Sequence, residues 1–279
     1  MNHFYWQVRR EIWENRSLYL APIAACGVFM LGFPFALAKL IATIHNVGQH
    51  TSIAMPYDIF AGLQMAVMMM VGAFYCIDAL YGERRDRSML FWKSLPVSDL
   101  TSVLAKVAIP IAVLPVLTWL ITIAAQLLML LVSTVALAGN GSHVAMLWND
   151  VSFFQRSLLL LYHLIMVHSL YLAPLYGWLL FVSAWVRRAP FVWATVPLLA
   201  IAFVERIAFG TTSFAALVGN RLAGNGMDAI VAHGTFPMDP HTHLTPIRFL
   251  TSPELVIGLL VCAIFVAAAM WMRRYRSAI

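Results

Sequence analysis

Nine histidines, fifteen methionines, three cysteines and twelve carboxylates carry whatever chemistry this 279-residue chain can do. His163 and His168 stand five apart in a long apolar stretch. An ionisable group is costly to bury there and marks a pathway, a relay or a structural pair. Asp78 closes another apolar stretch. The adjacent Glu205 and Arg206 can compensate each other or pair with neighbouring helices, as a structural pair or as an outer gate. His233, Asp239, His241 and His243 could converge on an external metal from an extended segment. A true site needs three or four ligands with supporting contacts, so a His-Thr-His loop is not expected to be one. The run Met65, Met68, Met69 and Met70 has sulfur donors of the kind soft metals select, although flexible thioethers at a helix interface explain it more simply. Cys26, Cys76 and Cys262 lie in apolar runs without ligand spacing and read as packing residues. The chain lacks Gly-x-x-x-x-Gly-Lys-Ser/Thr, Gly-x-Ser-x-Gly, His-Glu-x-x-His and Cys-x-x-Cys. No catalytic constellation, no metal site and no Walker-type nucleotide site is expected in it.

The elements that must position these residues are membrane helices. Apolar residues make up 62% of the chain and charged ones 11%, against about 25% charged in soluble domains. Six apolar segments, near 18–44, 56–80, 103–137, 157–186, 190–210 and 253–272, each reach the roughly 20 residues that cross hydrocarbon. None alternates as a strand would, and lipid demands internally satisfied backbone, so the spans read as helices. Thirteen of the eighteen Lys and Arg residues fall in four short segments: Arg9, Arg10 and Arg16; Arg84, Arg85, Arg87, Lys93 and Lys106; Arg187 and Arg188; Arg273, Arg274 and Arg276. Basic residues near span ends stay cytoplasmic, which puts both termini inside and 45–55, 138–156 and 211–252 outside. The net charge of +6 then reflects orientation and anionic lipid rather than a nucleic-acid partner. Ala36-Leu37-Ala38 resembles a cleavage site, but the long apolar run and the acidic Glu11 and Glu14 predict an uncleaved first span.

The connections are uneven. Residues 1–17 place Tyr5, Val8 and Ile12 on one helical face with Trp6 and Trp13 beside them, which predicts an interfacial amphipathic helix with its arginines toward the cytoplasm. The 81–99 loop holds the densest charge run, then Met89, Leu90, Phe91 and Trp92, then Pro96, which ends any helix. Such an apolar knot either fits a groove in another protein or dips into the bilayer. Ser98 or Asp99 can cap the third span or its amphipathic lead-in. Pro110, Pro115 and Pro174 predict kinks in the third and fourth spans. Arg187-Arg188-Ala189-Pro190 is so short that the flanking helices must be antiparallel neighbours. In 211–252, apolar pieces too short to span are broken by glycine, which predicts re-entrant or interfacial outer helices, with Glu205 and Arg206 paired beneath them. The expected fold is an all-α integral membrane protein, a single domain over 1–279 with six transmembrane helices, the leader helix and short outer helices before the sixth span.

Glu83-Arg84-x-x-x-Ser88-Met89, followed by Pro96-Val97-Ser98, resembles the cytoplasmic loop of type-2 permeases of ATP-binding-cassette exporters. In that family a Glu-Arg-x-x-Gly-Thr-Leu stretch precedes Pro-Val-Ser, and Arg87 stands where the family has glycine. The six spans, the leader and the outer segment resemble the same family in outline. The resemblance implies a permease half-transporter in the bacterial cytoplasmic (inner) membrane, working with a second copy of itself. A separate ATPase subunit would bind ATP and Mg, so this chain would not itself be an enzyme. Glu83, Arg84, Arg85, Asp86, Arg87, Met89, Phe91, Trp92 and Lys93 would form a coupling helix, with Arg187 and Arg188 as a second contact. Glu205, Arg206, Met65 and Met69 would belong to the pathway or its gate, and the second and fifth spans would line the dimer interface. Two alternatives stay open: a gradient-driven ion or metal transporter using Asp78 and the Met and His residues, and a membrane-embedded enzyme using Glu205, His163 and His168. The substrate is not legible.

Overall fold

Apolar runs rich in Leu, Ala, Val and Met give the backbone one way to satisfy itself in hydrocarbon, and the chain folds into helices. A computed structural model describes residues 3–45, 54–86, 98–138, 141–223, 230–231, 243–244 and 246–275. In chain order these form α1 (His3–Glu14), α2 (Ser17–His45), α3 (Met55–Asp78), α4 (Tyr81–Arg85) and α5 (Asp99–Ala108). A π-helical turn (Ile109–Val113) leads into α6 (Leu114–Ala136), followed by α7 (Gly141–Val151) and α8 (Phe153–Ile165). A second π-turn (Met166–Tyr171) joins α8 to α9 (Ala173–Trp185), then come α10 (Pro190–Phe209) and α11 (Ser213–Leu222). A two-residue antiparallel ladder, Ile230–Val231 with His243–Leu244, precedes α12 (Pro246–Leu250) and α13 (Pro253–Tyr275). Among the described residues six helical stretches are long and apolar enough to cross a membrane: Ser17–Lys39, Met55–Arg85, Asp99–Ala136, Val144–Tyr171, Pro190–Phe209 and Pro253–Tyr275. The chain is an all-α, multi-pass membrane protein.

Both π-turns sit where the prolines predict a kink. Proline removes a backbone donor and crowds the carbonyl four residues back, and one extra residue in the turn relieves that crowding. Pro110 lies inside the first π-turn and Pro174 follows the second, and the two turns touch. The fourth span is longer than the hydropathy implies, because α8 begins at Phe153 rather than near 157. Ahead of it, α7 occupies part of the 138–156 connection. It folds back onto the bundle, seating Leu147 and Val151 in a core with Phe60, Met129 and Leu130, while Trp148 Nε1 donates to Thr134 Oγ1 at 3.1 Å. Ser152, with φ of 42°, makes the break between α7 and α8.

The main core gathers Met65, Met68, Tyr75 and Cys76 of α3 with Leu160 and Leu164 of α8 and Tyr176 and Leu180 of α9. Helix α9 packs most extensively along α13. Helix α10 stands apart, with Ala194 its only buried residue. The basic segments converge at one end of the bundle: Arg10 and Arg273 both reach Glu83, and Arg84 reaches carbonyls at the end of α9. An even number of crossings between them is the consequence.

Gly177 marks a close approach of α9 to α13, since a Cβ there would lie 3.2 Å from the Cα, O and Sγ of Cys262. We expect Gly177→Leu to destabilise the protein by about 1–3 kcal/mol through overpacking, read as a lowered thermal unfolding midpoint in detergent. Gly32→Ala in α2, where a Cβ meets nothing within 4 Å, should leave the midpoint unchanged or raise it. Equal midpoints for the two variants would refute the close crossing.

Candidate functional site

Helix α1 turns toward the bundle through Gln7 and Glu11, one turn apart and both buried, while Tyr5, Trp6 and Trp13 face outward. One charge of this amphipathic leader, Glu11, is only 1% exposed and enters the body of the bundle. Lys106, in the last turn of α5 and 2% exposed, donates to Glu11 Oε1 at 2.7 Å. Arg10 Nη2 reaches the same oxygen at 2.9 Å, and Tyr75 OH donates to Glu11 Oε2 at 2.8 Å. Two buried charges this far from water are tolerable only with such complete pairing.

Glu83 of α4 extends the network. Its Oε1 is 3.2 Å from both Lys106 Nζ and Arg10 Nη2, and its Oε2 accepts from Arg273 Nη1 at 2.8 Å. Arg273 in turn donates from Nε to Asp99 Oδ1 at 3.1 Å. Asp99 is free for this because Ser98, not Asp99, caps α5 by accepting from Thr101 N at 3.1 Å. The charges Arg10, Lys106 and Arg273 thus alternate with Glu11, Glu83 and Asp99, joining the leader, α4, α5 and α13.

A second set of bonds fixes α4 to the far end of α9. Ser183 Oγ accepts from Leu80 N at 3.0 Å and from Tyr81 N at 2.9 Å, supplying donors at the start of α4 with a partner. Arg84 Nη2 donates to the carbonyls of Ser183 and of Val186, the latter at 2.7 Å, satisfying the last turn of α9. Beside the network a cleft of about 390 Å³ is lined by Glu11, Glu14, Asp78, Glu83, Asp86 and Lys106, among others. Burial alone would raise the Glu11 carboxyl, but Lys106 and Arg10 outweigh it and hold the group below its ordinary value. Glu14 goes the other way: burial raises it, and Arg10 does not offset that.

The opposite end of the bundle is tied differently. Asp58 of α3 and Arg156 of α8 form a buried ion pair. Arg221 of α11 is buried as well, with Nη1 donating to Tyr171 O at 2.6 Å and Nη2 to Glu254 O at 2.9 Å, and with its guanidinium 4.5 Å from the Tyr171 ring centre. Gly258 leaves the room, since a Cβ there would come 2.8 Å from Arg221 Nη2. Among its described residues the 211–252 segment therefore holds two helices, α11 and α12, packed against α13.

Of the residues singled out in the sequence, Glu83 and Arg84 fall at the centre of the network. Arg85 and Asp86 pair with each other at 3.0 Å on the exposed end of α4. Arg87, Met89, Phe91, Trp92 and Lys93 lie outside the described residues, as do His233, Asp239 and His241. His243 belongs to the short ladder. Arg187 and Arg188 are exposed on the turn after α9, beside Trp185 and Trp193. Met65 and Met68 are core residues with Met69 packed against them, while Met70 points outward. Cys26, Cys76 and Cys262 are free thiols. Glu205 does not pair with Arg206: it accepts from Thr211 Oγ1, Ser213 N and Phe214 N at 2.7–2.8 Å, capping α11, while Arg206 donates to Gly210 O at 3.2 Å. Among the described residues no group of three or more His, Cys, Asp and Glu is placed to hold a metal. Sequence reasoning misses Glu11, Lys106, Asp99 and Arg273 as partners. The available signal is a lone lysine in the apolar run 100–137.

No protein-family model, curated protein or solved structure matches the chain.

Lys106→Met removes the nearest cation from buried Glu11, leaving Arg10 and Tyr75, and should cost about 3 kcal/mol, whereas Glu11→Gln with Lys106→Met should recover part of that loss. Strictly additive costs in denaturant titrations would mean that the two side chains do not interact. Glu11 carries the acid dependence: its folded value lies below 4.5, so its stabilisation is complete above that pH and disappears as pH falls through the folded value. Glu11→Gln should flatten the loss of stability on acidification, measured as unfolding midpoint against pH.

Proposed function

We propose that the chain is the permease subunit of an ATP-binding-cassette exporter, working as a dimer and driven by a separate ATPase that binds ATP and Mg. The observation that carries this reading is the position of Glu83. It is the acidic residue of the Glu83-Arg84-x-x-x-Ser88-Met89 motif, and it meets Arg10, Lys106 and Arg273 from three other elements. A loop that only reversed the chain would need no such attachment. A loop that receives a push must be stiffly joined to what it moves, and α4 is bound to the leader, α5, α9 and α13. Arg85 and Asp86 face outward at the edge of this unit, where a partner would sit, with Arg187 and Arg188 as its second contact.

In this reading ATP-driven closure of the partner displaces the 81–99 loop. The displacement passes through Glu83 into the third and sixth spans and through Arg84 into the fourth. The fifth span, exposed along most of its length, is the surface a second copy would cover. The positive-inside rule favours a cytoplasmic position for the basic end of the bundle, and the resemblance to exporter permeases favours the bacterial inner membrane.

Affinity purification of the tagged chain in mild detergent should bring down a soluble ATPase at one copy per permease. Glu83→Gln should keep that ATPase bound and its hydrolysis running while transport falls by about tenfold or more, the signature of lost transmission rather than lost binding. A lone monomer that transports substrate after ATP depletion would refute the proposal and favour a gradient-driven carrier.

A further inference from the structure

The second π-turn does something its proline neighbour does not require: it aligns two histidines. In an α-helix residues five apart point about 140° away from each other. The π-turn over Met166–Tyr171 widens the helix enough that His163 and His168 share a face, with ring centres 5.2 Å apart and planes inclined by 51°. The hydroxyls nearby are engaged with backbone carbonyls: Ser169 Oγ donates to Leu164 O at 2.9 Å and Tyr176 OH to His168 O at 3.4 Å. The imidazoles are left over. Nδ1 of His163 and Nδ1 of His168 are both buried and neither makes a hydrogen bond, although the His168 ring faces the carbonyl of His163. Unpaired buried polar atoms cost stability, and two of them on adjacent rings call for a shared partner. π-turns of this kind recur at functional sites.

We infer that His163 and His168 form a two-imidazole binding site for a soft monovalent metal ion of the Cu(I) class, set inside the membrane-spanning body. The ligand is dictated by the donor set. Tetrahedral zinc needs three or four protein ligands, and no third His, Cys, Asp or Glu joins these two among the described residues. Calcium and magnesium take oxygen donors. A proton shared directly between the rings would show as a hydrogen bond linking them, and the Nδ1 atoms make none. A d10 monovalent ion is stable between two nitrogen donors. It also brings a single charge into a low-dielectric interior, where each further charge is penalised steeply. The inference is independent of any ATPase partner.

Silver(I) is the probe, used on the full-length chain in detergent. Cys26→Ala, Cys76→Ala and Cys262→Ala together remove the competing thiols. The thiol-free chain should retain one Ag(I) after desalting. His163→Gln or His168→Gln should weaken binding by more than about tenfold, the least that disturbing a metal site produces. His3→Gln, a change in the exposed leader, should bind normally. Should the two variants fold poorly, nitrogen NMR of histidine-labelled thiol-free protein gives the answer without them, as Ag(I) must shift the ring nitrogens of two histidines together. No retained silver, binding that survives both substitutions, or unmoved histidine resonances would each overturn the site and leave ordered water as the occupant.

Discussion

Everything at the basic end of this bundle hangs on Lys106 having two carboxylates to meet. A lysine with its ammonium removed from water is among the most expensive groups a protein can bury, and its cost is offset here by Glu11 at 2.7 Å and Glu83 at 3.2 Å. Neither acid is local: Glu11 is 95 residues away along the chain, and the Arg273–Glu83 contact joins residues 190 apart. The network therefore closes only when the leader, α4, the third span and the sixth span have all arrived. Apolar helices in lipid slide past one another with little to fix their register, because hydrocarbon tails are as apolar as leucine. A cluster of charges with one satisfactory arrangement supplies the register that oily surfaces cannot.

Most of the architecture is open to reading in the sequence, because hydropathy is a local property. Five of the six spans fall within about five residues of the apolar runs; the fourth does not, because the apolar stretch Val144–Tyr171 takes in α7 and ends before α9. Pro110 and Pro174 mark the two π-turns. The charges are harder, for two different reasons. Counting Arg10, Lys106 and Arg273 as topological signals treats them as facing water and lipid headgroups. Their position at one end is right, yet their side chains turn inward to partners that no local pattern reveals. Arg9 behaves as the rule supposes, lying 4.4 Å from the Trp13 ring centre and 5.2 Å from that of Trp6. The misreading of Glu205 and Arg206 has a simpler cause. Neighbours on a helix point about 100° apart and do not face each other, so adjacency in sequence is poor grounds for an ion pair. Glu205 finds the start of α11 instead, where unsatisfied amides attract a carboxylate.

The two ends of the bundle solve the same problem with different chemistry. At the basic end, carboxylates and cations alternate among several elements. At the other, Arg221 is held by two carbonyl oxygens and the face of Tyr171. Carbonyl partners matter because both lie at helix boundaries, Tyr171 closing the second π-turn and Glu254 opening α13. A planar guanidinium can satisfy both carbonyls and lie over the Tyr171 ring at once, which suits arginine better than lysine. Gly258 is part of the same device, since any side chain there would displace the guanidinium. Helix α11 is thereby fastened to the sixth span, and its other terminus is fastened to the fifth through Glu205.

These attachments set how motion can pass through the protein. The fourth span changes helix type at its π-turn, and beyond it α9 packs extensively against α13 and closely at Gly177. Arg84 and Ser183 add α4 to this unit, and Arg273 adds the network around Glu83. In the proposed mechanism a displacement of α4 would be carried by α9 and α13 together, with the touching π-turns as the place where they would rotate against α6 and α8. Firm packing and helix interruption both trace to particular residues: small residues and charges where helices are held together, and prolines where the α-helical hydrogen-bond ladder is broken.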